Sequence, residues 1–170
     1  RGEITNLEGQ PPMVWVQELA NELDDKDREL MRNGLFLGRV VNYGRADYGR
    51  GDFLIRGVIG VDHQSGAIRV SGGIQSGDTV QFHLMDADTA QHDLEMSLAP
   101  QGFKSKPKGV FLVSCNGRGT RLYPHLDGDI SVVRGSLGDV PIAGFFAAGE
   151  IGPVGVHNYL HGNTAVVTVF

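Results

Sequence analysis

Apolar residues change their period twice along this chain. Val16, Leu19, Ala20 and Leu23 recur at helical spacing behind Pro11 and Pro12. Proline suits the first helical turn, so the spacing predicts a helix over about Pro12–Leu23. Asp24-Asp25-Lys26-Asp27 breaks the stripe and can cap a second short helical turn through Leu30 and Met31. Before it, Gly2 to Leu7 reads as a short strand and Leu7 to Pro12 as a turn. From Gly34 the period shortens. Leu35–Asn42, Phe53–Val61, Ala67–Val70 and Thr79–Met85 read as strands, the last alternating Val80, Phe82 and Leu84 against polar residues. His63-Gln64-Ser65-Gly66 is a hairpin turn. A second helical stripe of Ala87, Ala90, Leu94 and Leu98 follows Asp86 or Asp88 as cap and is closed by Pro100 and Gly102.

In the second half the apolar runs become continuous. Gly109-Val110-Phe111-Leu112-Val113-Ser114 suits a central strand buried on both faces. It delivers Cys115-Asn116-Gly117-Arg118-Gly119-Thr120 to the strand's end. His125 to Leu137 is mixed and polar, a loop with a short helix. Val140 to Ala148 reads as a second buried strand. Gly149-Glu150-Ile151-Gly152-Pro153 then places an acid between two glycines on a bent loop, where sites are commonly built. The alternative is a tight turn whose glutamate faces water. Gly162-Asn163 is a turn, and Thr164–Phe170, rich in β-branched residues, is the last strand. Together these give an α+β fold: a mixed, mainly antiparallel sheet or sheets of about seven strands, two main helices and many glycine-rich turns.

Composition narrows the class. The 170 residues suffice for a domain with a real core. The 25 glycines exceed the roughly 12 expected at about 7 per cent usage, which favours turns and hairpins over a long bundle. A net charge of −5 argues against a nucleic-acid surface. The loop at Tyr43–Asp52 interleaves arginine with tyrosine, a pattern that can stack on RNA bases, but it reads better as an exposed hairpin loop. No apolar run reaches the roughly 18 residues that span a bilayer, and no signal peptide is recognisable. The chain begins at Arg1 without a start methionine, as a fragment would. One cysteine, Cys115, excludes an internal disulfide and fits a reducing compartment.

Candidate chemistry gathers at the two strand ends. Alternating glycines around Arg118 let successive N–H groups converge on an anion, and the guanidinium can grip a carboxylate with two parallel hydrogen bonds. Cys115 beside it is either a reactive thiolate or a core residue, and Arg118 is either a ligand anchor or the partner of an internal acid. His157 and His161, four apart, match the spacing of two ligands on one helix face, with Glu150 as the nearby third group for zinc; the turn at Gly162-Asn163 argues against a helix there. No metal and no cofactor is expected. Arg118 and Glu150 suit the carboxylate and ammonium of an amino acid.

These pieces, taken in order, carry a family likeness. Phe53-Leu54-Ile55-Arg56, Gly60-Val61-Asp62, Gly77-Asp78-Thr79-Val80, Cys115-Asn116-Gly117-Arg118-Gly119, Gly144 to Pro153 and Leu160-His161-Gly162-Asn163-Thr164 resemble the C-terminal FIST domain. The likeness spans about Gly34 to Phe170. It implies residues 34–170 as that domain and residues 1–33 as a helical lead-in from an absent N-terminal half. The resemblance implies a cytoplasmic sensory module that binds a small ligand, with an amino acid as first candidate, and works with other signalling domains or the missing half. Ligand-binding residues are expected at Cys115, Asn116, Gly117, Arg118, Gly119, Gly149, Glu150, Ile151, Gly152, His157 and His161. Two other readings remain: an enzyme with Cys115 as nucleophile and His157 or His161 as base, and a protein-interaction module like the F-box relatives, which a large exposed apolar patch would favour.

Overall fold

A computed structural model describes residues 2–41, 43–44 and 47–170. Asn42 at the end of the expected strand, and Arg45 and Ala46 in the arginine–tyrosine loop, lie outside the described residues. The strands are β1 (Glu3–Ile4), β2 (Phe36–Val40), β3 (Phe53–Val61), β4 (Ile68–Val70), β5 (Val80–His83), β6 (Val110–Cys115), β7 (Ile142–Ala147), β8 (Glu150–Val154), β9 (His157–His161) and β10 (Ala165–Val169). The helices are α1 (Pro12–Glu22), α2 (Asp25–Asn33), α3 (Ala87–Leu98) and α4 (Gly128–Leu137), with a 3₁₀ turn at Ala99–Phe103. This is an α+β fold. Both main helices stand where the apolar spacing put them. Asp24 caps α2 through the Asp27 N–H, and Asp86 caps α3 through the Thr89 N–H. Two elements outgrow expectation: the short helical turn after Asp24 is the nine-residue α2, and the polar segment before Leu137 carries the ten-residue α4.

The chain divides into two compact units, one running to Met85 and including Val154–His157, the other comprising Asp86–Pro153 and Asn158–Phe170. In the first, five strands pair antiparallel throughout in the order β1-β4-β3-β2-β5. Leu37, Ile68 and Val70 form its core, with Met13 of α1 and Ile4 of β1 packed against them. Burying a side chain as fully as Leu37 contributes about 1.5–3 kcal/mol. The β3–β4 turn is held by Asp62, whose carboxylate accepts from the Gln64 N–H and the Ser65 hydroxyl.

In the second unit the order is β10-β6-β7. β10 is antiparallel to β6, and β7 is parallel to it after the crossover through α4. Leu94 and Leu98 of α3 and Val132, Val133 and Leu137 of α4 pack on Val110, with Ile142, Val167 and Val169 against them. β6 is central, as its apolar run implied, but it and β7 are not buried on both faces. Phe111 is 39% exposed, Phe145 59% and Phe146 61%. The helices cover one face, and a continuous apolar run does not say whether a second layer exists. β8 and β9 form a separate two-stranded sheet, so Pro153 lies within a strand rather than ending one. His157–His161 is strand, not helix. Among the described residues, no helix is long and apolar enough to cross a membrane.

Gly144 makes the parallel pairing possible. A Cβ there would lie 1.7 Å from the Leu112 carbonyl oxygen, a backbone atom that cannot swing aside. Gly144→Ala should therefore lower unfolding stability by about 1–3 kcal/mol, the range for an overpacked interior. Urea denaturation checks this, and parent-like stability would mean that β7 does not approach β6 so closely.

Candidate functional site

Parallel β6 and β7 end together, since Cys115 is level with Ala147 and the Asn116 N–H bonds the Ala147 carbonyl. β10 starts at the same end, its Ala165 opposite Ser114. Three stretches, 115–119, 149–152 and 161–164, thus emerge side by side; of the expected bent loop at Gly149–Pro153, only Gly149 precedes strand β8, which takes in Glu150 to Pro153. The strand pairing itself makes the cysteine–arginine loop and the glutamate segment neighbours.

The centre of this end is a buried polar network. Arg118 is 7% exposed. Its Nε–H and an NH2 hydrogen donate to the Asp129 carboxylate at 3.0 and 2.7 Å. NH2 also donates to the Tyr123 hydroxyl at 2.9 Å, and NH1 donates to the Asn163 carbonyl at 3.3 Å. Asp129 accepts further from the Tyr123 hydroxyl at 2.7 Å and from Ser114 Oγ at 2.8 Å. Burial alone would push the Asp129 carboxyl up. The hydrogen bonds and charge of Arg118, with Tyr123 and Ser114, outweigh it and hold the group below the ordinary carboxylate range. Burial, then the hydrogen bond to Asp129, raises the Tyr123 phenol. Gly128 opens α4 because the Tyr123 ring fills the space of a side chain: a Cβ would fall 2.2 Å from it.

Arg118 is therefore the partner of an internal acid, and that acid is Asp129, not Glu150. Its fork is closed, so it cannot also grip a ligand carboxylate with two parallel bonds. One NH1 hydrogen has no partner among the described residues. Sequence reasoning missed Asp129, Tyr123 and Ser114. The available signal was an acid in the first turn of a helix following an arginine–glycine loop.

Glu150 does not face water. It is 5% exposed; Oε2 accepts from Thr164 Oγ1 at 2.5 Å, while Oε1 is buried without a hydrogen-bond partner. The Thr164 carbonyl accepts from the Cys115 N–H, which links the two loops. Cys115 is a buried core side chain. Gly117 lies against Asn163, Gly119 against the Phe146 ring, and Gly149 against the His161 carbonyl. Ile151 is exposed on β8. His161 donates from Nε2 to the Gly152 carbonyl at 2.9 Å. His157 falls in the 154–157 stretch that groups with the first unit. Among the described residues, no hydrogen bond joins the Cys115 sulfur to an imidazole, and no group of three or more His, Cys, Asp and Glu is placed to hold a metal ion.

An open cleft of about 820 Å³ lies against the network. Arg118, Tyr123 and Asn116 give it polar groups; Leu112, Ile142 and Phe146 give it apolar walls. Glu150 does not line it. The cleft thus stands at the carboxyl ends of parallel strands, beside the amino end of the crossover helix, a common position for ligands in sheets of this connectivity.

The FIST C domain family matches residues 16–153. The chain belongs to that family. The match takes in both loops of the cysteine–arginine and glutamate segments and starts within α1, earlier than Gly34. An uncharacterised protein of Mycobacterium tuberculosis is 44% identical over 169 residues, covering 98% of this chain and 44% of that protein. An uncharacterised protein of Mycobacterium bovis is 41% identical over the same length and shares. This FIST C chain spans less than half the length of these curated relatives. No solved structure matches it.

The Arg118–Asp129 pair contributes to the acid response of the FIST C domain. A carboxyl held low when folded contributes stability that is complete above its unfolded value, near 4, and lost as pH falls through the folded value. Asp129→Asn should flatten that loss and cost about 3–5 kcal/mol at pH 7, since it strands a buried guanidinium. Arg118→Lys should not restore stability, because an ammonium lacks the planar fork. Urea unfolding between pH 3 and 7 tests all three statements; an Asp129→Asn protein as stable as the parent at pH 7 would contradict them.

Proposed function

We propose that this FIST C domain is the ligand-reading part of a signal-transduction module, and that its small ligand occupies the cleft between β6, β7 and the start of α4. The observation that carries the reading is the combination within that cleft: apolar walls over a floor of buried, hydrogen-bonded polar groups whose geometry is set before any ligand arrives. Its volume suits a small molecule. An amino acid with an apolar side chain is the first candidate. Its carboxylate would take the remaining Arg118 N–H as a single charge-assisted bond, and its side chain would lie on Leu112 and Phe146. Asp127, at the rim, would accept from the ammonium. Glu150 then belongs to the loop scaffold rather than to the ligand. The reading places the module in the cytoplasm, coupled to other signalling domains.

A second reading, a protein-interaction module, is favoured by one observation: the apolar side chains that β6, β7 and β10 expose, Phe111, Phe145 and Val166 among them.

Thermal-shift measurement with a panel of amino acids separates the possibilities, on this chain and on the full-length M. tuberculosis relative. An apolar amino acid should raise the melting temperature of the parent. Phe146→Ala should leave the empty protein nearly unchanged, because the ring is exposed, and weaken the ligand about tenfold for a loss near 1.4 kcal/mol. Glu150→Gln should keep the ligand response. A response lost in Glu150→Gln and kept in Phe146→Ala would move the ligand to the glutamate loop. No response in either parent would remove the ligand reading.

A further inference from the structure

The β10-β6-β7 sheet has one face on α3 and α4, and its other face leaves Phe111, Phe145 and Val166 exposed by 39%, 59% and 40%. By register, the second face carries Phe111 and Val113 of β6, Ala143 and Phe145 of β7, and Val166 and Thr168 of β10. None of these is ionisable. A sheet that turns one face to water alternates apolar with polar residues, so that its outer face is hydrophilic. Here that face offers two phenylalanines in edge-to-face contact, with ring centroids 5.9 Å apart. The same unit exposes Ile151 of β8 by 74% and Leu160 of β9 by 63%, on a two-stranded sheet of the kind that is marginal alone. Apolar surface concentrated in this way marks an interface.

The occupant is argued from the length of the relatives. More than half of each mycobacterial relative lies outside the stretch that this chain matches. A neighbouring region of one polypeptide meets such a face at an effective concentration of about millimolar. That suits a face with no charge to choose among diffusing partners. We infer that the Phe111–Phe145–Val166 face is the docking surface for the companion polypeptide that the relatives carry outside the matched stretch, seated through an apolar helix or sheet face of its own.

The test compares thiol labelling in two proteins. One is this 170-residue chain; the other is the M. tuberculosis relative with its matched stretch replaced by this chain. Phe145→Cys and Thr168→Cys report on the face, Met96→Cys on exposed α3 is the control, and the parent with its buried Cys115 is the blank. Labelling at 145 and 168 should be fast in the short chain and at least about tenfold slower in the long one, with position 96 equal in both. Equal rates at 145 and 168 in the two proteins would overturn the inference. So would protection already present in the short chain: rising with concentration, it would identify a second copy as occupant; independent of concentration, another part of this chain. Should the graft not fold, the same substitutions are placed at the aligned positions of the relative's own full chain and compared with its matched stretch alone, with the same outcomes deciding.

Discussion

The second unit depends on one buried contact, the guanidinium of Arg118 against the carboxylate of Asp129. Taking two charges out of water is costly, and the return depends on saturating them with hydrogen bonds. Both partners come close to that. Asp129 accepts from Arg118, Tyr123 and Ser114, and Arg118 reaches beyond the pair to the Asn163 carbonyl. The contact therefore ties four segments: the end of β6 through Ser114, the loop after it, the first turn of α4, and the approach to β10. With α4 anchored at its amino end and Leu137 and Val133 buried farther along, the chain re-enters the sheet beside β6 in the parallel sense. An apolar replacement of similar volume could fill the space, but it would not fix the angle at which the helix leaves the loop.

How much of this was legible follows from the range of each signal. α1, α3 and β3 were read closely because their periods lie within the segments themselves. Ile130, Val132, Val133 and Leu137 carry a helical stripe too, but Gly128, Ser131, Gly135 and Ser136 interleave it, and intrinsic propensity points to a loop. Packing against α3 decides the matter, and that lies outside any local window. β7 shows the opposite error. Gly144 to Ala148 is uniformly apolar, which reads as a buried strand. Its Phe145 is nevertheless 59% exposed, and composition does not say whether a second layer covers a strand.

The site was half legible for a similar reason. That strand ends deliver Cys115-Asn116-Gly117-Arg118-Gly119 and Gly149-Glu150 to one place follows from two apolar runs pairing in one sheet. Which acid meets Arg118 does not. The chain has 20 acidic residues, and the glycines around Glu150 mark it as a ligand group without saying which acid Arg118 meets. The fold selects Asp129, eleven residues from Arg118, because the first turn of α4 returns over the end of β6. Glu150 is instead held by Thr164, a hydroxyl that β10 brings back to the same edge.

This exchange of partners alters the chemistry that the site can perform. An open arginine fork would bind carboxylates strongly and with little regard for what else they carry. A closed fork leaves one N–H without a partner among the described residues and makes the guanidinium part of a hydrogen-bonded floor. Under the proposed reading, discrimination would pass to the walls, where Leu112, Ile142 and Phe146 would meet the apolar group of a ligand. Phe146 stands next to Phe145 in β7. It faces the cleft by its register with Ser114, while Phe145, one residue earlier, faces away with Val113. Successive strand residues point to opposite faces. β7 is an edge strand bonded on one side only, to β6. A ligand that presses on Phe146 therefore acts on the same backbone that carries Phe145. Coupling a small molecule on one face to a packed polypeptide on the other needs no longer route than that single strand, provided that the two faces differ in occupancy between the states being read.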